Sequence, residues 1–468
     1  MRHPADDLLG VRRDHLDGAA ATGRVGELAA DVEPFVLDEC THDCRLLRVG
    51  RVGGHGVRGS RPRCAVSGAR FAVHGSRGFP DAPSGLIPVP VMLGNARHGV
   101  RPGRAGAEVR RMTAAARTGT AEAGPRVTDH RGGVWSIAVP IPDNPLGHTL
   151  VHLVETGRGP VLVDTGWDDP DAWDTLTAGI TACGFDVTDL HGVLITHHHP
   201  DHHGLSARVR EASGAWIAMH AADADVVRRT REAEPGRWLD YLVTKLTAAG
   251  APNEHLAPLR AARAEGRVRG LPGQRAALPD REITPGALLD LPGRRLRAVW
   301  TPGHTPGHVC LHLEEDHPAQ RPGHGRLFSG DHLLPGISPH IGLYEDPDDT
   351  TPTDPLGDYL ASLEHVARLA PAEVLPAHQH AFTDAAGRVR ELLVHHEERL
   401  AGLRALLAVP RTPWQLAEAM EWNRPWERIP YGSRNIAVSE AEAHLRHLVR
   451  RGLAEAVPGS EPVTYRAV

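Results

Sequence analysis

Thr196-His197-His198-His199-Pro200-Asp201-His202-His203-Gly204 is the stretch on which the reading of this chain turns. Zinc and its first-row neighbours favour imidazole and carboxylate ligands, and a short turn can aim several of them at one point. The apolar run Val193-Leu194-Ile195 leads directly into the histidines, which places them at the end of a strand. Taken alone, a histidine-rich turn also fits a solvated loop, so the choice rests on the rest of the sequence.

Three further elements bear on it. Thr301-Pro302-Gly303-His304-Thr305-Pro306-Gly307-His308 follows a β-prone run from Leu296 to Trp300, and its Gly and Pro residues fix a tight turn that projects His304 from a strand end. Phe328-Ser329-Gly330-Asp331 is an apolar strand delivering a carboxylate able to bridge two cations. Leu375-Pro376-Ala377-His378 again puts a histidine at a strand end. Four strand ends thus converge on one edge, where irregular loops usually carry function.

Over about residues 133 to 380 this order and spacing resembles the metallo-β-lactamase superfamily, and the doubled Thr-Pro-Gly-His is similar to its glyoxalase II, lactonase and related hydrolase branches. The resemblance implies an α/β fold, an αββα sandwich, holding two Zn2+ per chain, with Mn2+ or Fe2+ as alternatives. It implies one metal on His197, His199 and His304, a second on Asp201, His202 and His378, and Asp331 bridging both. Asp164, in Val163-Asp164-Thr165-Gly166, would hold a ligand histidine from behind and fix its tautomer. Two dications, less two carboxylates and a bridging hydroxide, leave about one positive charge, which favours a substrate with a polarisable oxygen or an anionic group. The expected reaction is hydrolysis by that hydroxide of a thioester, lactone or other small carboxylic ester, with Asp201 also orienting the nucleophile.

Other residues near these motifs receive lesser roles. His340 and Tyr344 could polarise the scissile group, beside the plainer reading of packing or exposure. Alternation turns His198 and His203 away from the metals, His308 reads as a structural hydrogen-bonding residue, and His395-His396 as a solvated helix face. Cys40 and Cys44, around His42, lack a second ligand pair of clear spacing.

The chain's 468 residues exceed one ordinary core, and its 50 Gly and 39 Pro imply many turns. Residues 1–111 show neither helical nor strand periodicity and are expected to be disordered or an upstream extension of the frame, with Met112 as the start. Residues 130–384 form the catalytic domain, interrupted at 232–285 by a helical insertion suited to act as a lid. Residues 385–468 form a long helix and a small winged-helix-like domain, with helix candidates at Trp414–Glu421 and Ser439–Arg451 before two short β-prone runs. No apolar stretch approaches membrane-spanning length, the N-terminus lacks a secretory signal, and a cytoplasmic location follows by default. The five cysteines read as reduced thiols. Oligomeric state is left open by the sequence.

The net charge of −6 gives no general pull toward nucleic acid. A nuclease is nevertheless the sharper rival, because relatives with a C-terminal winged-helix-like domain resemble endoribonucleases, and Arg446, Arg450 and Arg451 share one helix. RNA is then the alternative partner, although three arginines also fit a solvated face. An iron-dependent dioxygenase is the other alternative. A flavin-bearing relative is disfavoured, since no flavodoxin-like segment follows the core.

Overall fold

The computed structural model describes residues 42–43, 125–266, 275–343 and 353–468. The expectations for residues 1–111 (two residues apart), for Met112, for the Cys40–Cys44 pair and for Tyr344 lie outside the described residues.

Strands β1 (Val127–Asp129), β2 (Val134–Pro140), β3 (His148–Val154), β4 (Val161–Val163), β5 (Gly192–Leu194), β6 (Trp216–Met219) and β7 (Arg281–Glu282) form one seven-stranded sheet in sequence order. Pairing is antiparallel from β1 to β4 and parallel from β4 to β7. The second sheet has four strands, β8 (Leu296–Trp300), β9 (Val309–Leu313), β10 (Arg326–Gly330) and β11 (Glu373–Pro376), in the order β11-β10-β9-β8. Its β10–β11 pair is parallel and the others are antiparallel.

Side-chain alternation explains how these strands are packed. In β4, Val161 and Val163 enter the core between the sheets, while Leu162 enters the core under the helices on the outer face. A strand buried on both faces reads as an unbroken apolar run, which is why Val161-Leu162-Val163 and Val193-Leu194 were visible in the sequence. Between the sheets, Val134, Val154 and Leu194 meet Leu296, Val309, Phe328 and Leu375.

Helices α1 (Pro170–Ala182), α2 (Pro200–His203), α3 (Ser206–Ser213) and α4 (Ala221–Glu232) follow strands of the first sheet. Asp169 caps α1 by accepting from the Asp171 N–H, with Pro170 in the first turn. Leu176 and Ile180 on its inner face are fully buried, which is worth about 1.5–3 kcal/mol for each side chain. Against the second sheet lie α7 (Pro355–Leu369) and α8 (Ala385–Leu406), preceded in the chain by α5 (Arg237–Ala248) and α6 (Asn253–Ala264). Sequence reading placed no element at α7. The solvated face expected for His395-His396 is corrected in part: His396 is 1% exposed. It shares the inner stripe of α8 with Leu392 and Leu400, packing beside Tyr359 and His444.

Beyond α8 come α9 (Pro413–Ala419), α10 (Arg434–Arg450) and an antiparallel pair, β12 (Ala454–Ala456) and β13 (Tyr465–Ala467). Thr412 and Gln415 form a capping box on α9. The apolar faces of α5 and α6, through Leu239, Leu242, Leu246, Leu256 and Leu259, pack against Trp414, Trp426, Val438 and Ala441 of this C-terminal segment. Among the described residues no helix is long and apolar enough to cross a membrane.

Candidate metal centre

The loops after β4, β5, β9's preceding turn, β10 and β11 meet at one end of the sandwich. Residues 196–198 bend away from the end of β5, and His199 has β-type backbone at φ −62 and ψ 149 before Pro200 opens the single turn of α2. His197 and His199 point together, with Nε2 of the former 3.0 Å from Nδ1 of the latter. His198 points the other way, its Nδ1 lying 3.1 Å from Asp223 Oδ2. The turn of α2 then brings Asp201 and His202 back toward the same centre.

His304 completes the first cluster. Its Nε2 is 3.2 Å from His197 Nε2 and 3.1 Å from His199 Nδ1. Gly303, at φ +133, makes this approach feasible: a Cβ there would lie 2.5 Å from Tyr359 Cα and 2.6 Å from its backbone nitrogen. In the second cluster, Asp201 Oδ2 lies 3.3 Å from both His202 Nε2 and His378 Nε2. Asp331 stands between the clusters. Its Oδ1 is 3.5 Å from His202 Nε2 and 3.3 Å from His378 Nε2, and its Oδ2 is 3.7 Å from His304 Nε2.

Hydrogen bonds on the far sides of the rings decide which nitrogens carry lone pairs. His304 Nδ1 donates to the His340 carbonyl at 2.8 Å, and His378 Nδ1 to the His148 carbonyl at 3.1 Å. His202 Nδ1 donates to Asp164 Oδ2 at 2.9 Å. The Thr196 hydroxyl donates to Asp164 and so accepts from His197 Nδ1 at 3.1 Å. A neutral imidazole carries one proton, so each of these four rings, when neutral, presents its Nε2 lone pair inward. Asp164, held at φ +63, also accepts from the Thr196 N–H at 2.8 Å. It thus orients one ring directly and another through a hydroxyl.

The inner atoms suit cations and suit one another poorly. His202 Nε2, His378 Nε2 and Asp331 Oδ1 are buried and make no hydrogen bond of good geometry. Ligand atoms of His197, His199 and His304, of His197, His202 and Asp331, and of Asp201, His202 and His378 each lie within 4.8 Å of one another. Burial, reinforced by neighbouring rings, pushes the pKa of His197 well below the usual 6.5 and that of His199 to about 3, which leaves both unprotonated. Burial also opposes charge on His202 and His378, but the facing carboxylates outweigh it and raise both pKa values well above 6.5. This half of the site draws positive charge strongly.

All eight residues singled out in the sequence, His197, His199, Asp201, His202, His304, Asp331, His378 and Asp164, are therefore gathered in one centre. His308 lies behind it, bonded to Thr301 Oγ1 at 2.8 Å and accepting from the Asp331 N–H at 3.2 Å. His340 contributes its carbonyl to His304, while its ring turns to Glu440 Oε2 at 3.3 Å on α10. Asp223 went unnoticed in the sequence. Fully buried at the start of α4, it accepts from the His198 N–H at 2.9 Å, the Thr305 hydroxyl at 2.8 Å and the Gly307 N–H at 2.6 Å.

Residues 144–378 match the family model described as the metallo-beta-lactamase superfamily. The chain belongs to the metallo-beta-lactamase superfamily. Within it, the lactamase-like protein nscB of Aspergillus fumigatus is 27% identical over 263 residues, covering 56% of this chain and 57% of that protein. The chain thus spans little more than half the length of that relative. The probable metallo-hydrolase YqjP of Bacillus subtilis is 25% identical over 297 residues, covering 61% of this chain and 84% of its own. Among solved structures, a metallo-beta-lactamase family protein of Thermus thermophilus is 30% identical with a TM-score of 0.58, covering 73% of this chain and 100% of its own. A beta-lactamase domain protein of Burkholderia ambifaria, 24% identical with a TM-score of 0.60 over 74% of this chain and 97% of its own, shares the fold. Within this superfamily fold, the His/Asp clusters are grouped closely enough to hold metal.

Proposed function

We propose that this protein is a metal-dependent hydrolase with a dinuclear zinc centre, acting on a thioester, lactone or other small carboxylic ester. The observation that carries the proposal is the convergence of inward lone pairs from His197, His202, His304 and His378 on two carboxylates, each ring locked by a hydrogen bond from behind. His197, His199 and His304 would hold one cation and Asp201, His202 and His378 the other, with Asp331 available to both. Cations bound there would supply a hydroxide nucleophile at neutral pH and positive charge for the developing oxyanion.

The chain's own groups do the rest. Asp201 Oδ2, 3.3 Å from two ring nitrogens, is the carboxylate best placed to accept a hydrogen bond from the nucleophile and fix its direction. Asp164 keeps the proton of His202 on Nδ1 and away from the centre. The α5–α6 insertion is read as a lid shaping substrate choice, and the C-terminal helices with β12–β13 as winged-helix-like.

Ester chemistry ranks ahead of RNA cleavage because two of the three arginines proposed for RNA face carboxylates: Arg451 Nη1 is 2.8 Å from Glu397, and Arg450 Nε is 3.7 Å from Asp354. The test is a screen of zinc- and manganese-loaded protein against thioesters, lactones and single-stranded RNA, with metal analysis alongside. Ester or thioester hydrolysis lost in Asp201→Ala is the expected result. Activity on RNA alone, or one iron per chain with no hydrolysis, refutes it.

A further inference from the structure

Asp223 lies outside every ligand set above, yet it is the meeting point of the two loops that build the three-histidine cluster. Its Oδ2 accepts from the His198 N–H at 2.9 Å and sits 3.1 Å from His198 Nδ1, so it grips the residue between the ligands His197 and His199. The same oxygen accepts from the hydroxyl of Thr305, the neighbour of His304, at 2.8 Å. Oδ1 takes the Gly307 N–H at 2.6 Å. Gly307 is there for this contact: a Cβ at that position would lie 2.6 Å from both Asp223 N and Oδ1. One buried carboxylate from a third strand end therefore ties the β5 loop to the β8–β9 turn, on the side away from the metals.

We infer that Asp223 is a positioning residue for the three-histidine site, setting the spacing of His197 and His199 against His304. This inference rests on the dinuclear reading given above. Asp164 holds His202 directly and His197 through the Thr196 hydroxyl, whereas Asp223 touches only the loops of the three-histidine cluster, so removal of the two outer carboxylates has different consequences. A buried carboxylate satisfied by donors from two loops fixes both at once, because loosening either leaves polar groups without partners. Hydrogen-bond partners standing behind metal ligands typically change metal affinity 10–100-fold.

The test uses full-length protein stripped with chelator and titrated with Zn2+ in competition with a chromophoric chelator, then with Co2+ to record the visible ligand-field bands. His304→Ala and His378→Ala assign the two binding steps. Asp223→Asn keeps the shape of the side chain; Thr305→Val removes one donor and leaves the carboxylate in place, which guards against a variant that fails to fold. The expected result is a step assigned by His304→Ala that weakens about 10–100-fold in Asp223→Asn and less in Thr305→Val. The step assigned by His378→Ala stays within about threefold, and the Co2+ bands of the first site broaden or shift. Two unchanged steps in folded Asp223→Asn, or equal weakening of both, overturn the inference while the dinuclear reading stands. Wild-type protein that takes up no divalent cation overturns both.

Discussion

Replacing Asp164 by Asn changes one atom and tests the centre's design. In the native chain Asp164 Oδ2 accepts from His202 Nδ1 at 2.9 Å, and the carboxylate also accepts the Thr196 N–H at 2.8 Å. Asparagine tolerates the φ of +63 found here, so the backbone adds little strain. Its amide can satisfy the Thr196 N–H through the oxygen, but the NH2 then faces His202 Nδ1. Two donors cannot share that contact. The ring is driven to the other tautomer, with its proton on Nε2, pointing at Asp201 and Asp331. A charge-assisted hydrogen bond of this kind is worth about 1.5–3 kcal/mol. At 1.36 kcal/mol per decade that corresponds to roughly a 10–100-fold weakening of metal binding, the range known for groups behind metal ligands. Chelator competition reads this directly, with thermal unfolding of the stripped protein as the control. Affinity unchanged in a variant that melts like the wild type refutes the tautomer argument.

Glu440 pairs with Arg399 at 2.9 Å and with the His340 ring at 3.3 Å, all three nearly buried. Glu440→Ala leaves Arg399 without that partner and should lower stability by about 3 kcal/mol, seen as an earlier urea midpoint, whereas Glu440→Gln keeps part of it. His444 is fully buried, and burial, with Arg399 nearby, depresses its pKa to about 3. The unfolded chain therefore binds a proton that the folded chain refuses, so stability is complete above 6.5 and falls as pH drops toward 3. His444→Gln should flatten that part of the urea midpoint's pH dependence; an unchanged slope between pH 6.5 and 4 counts against it.

The site was legible because each candidate ligand sits in a short motif at a strand end, where a local turn sets its direction. Asp223 was harder: its partners come from two distant loops, although a carboxylate soon after the apolar run Trp216–Met219 repeats the pattern that exposed Asp331. Helix α7 carried ordinary signals, Asp354-Pro355 at its start and Leu356, Tyr359, Leu363 and Val366 at helical spacing, buried on its inner face. For His396, the spacing of four from Leu392 and to Leu400 is compatible with an inner stripe, but burying an imidazole there depends on His444, which only the fold supplies. The amphipathic faces of α5 and α6 could be seen; what they face could not, since periodicity marks a buried surface without naming its partner.

That partner limits how the chain can be divided. An expression fragment ending at residue 384 would keep every residue of the candidate metal centre, yet it would strip α8 from the second sheet and present Leu239, Leu242, Leu246, Leu256 and Leu259 to water, their cover of Trp414, Trp426 and Val438 removed. A contiguous apolar surface of that kind favours self-association over solution as a monomer. Anyone trimming this protein for crystallisation or engineering should leave the insertion, α8 and the C-terminal segment in place together.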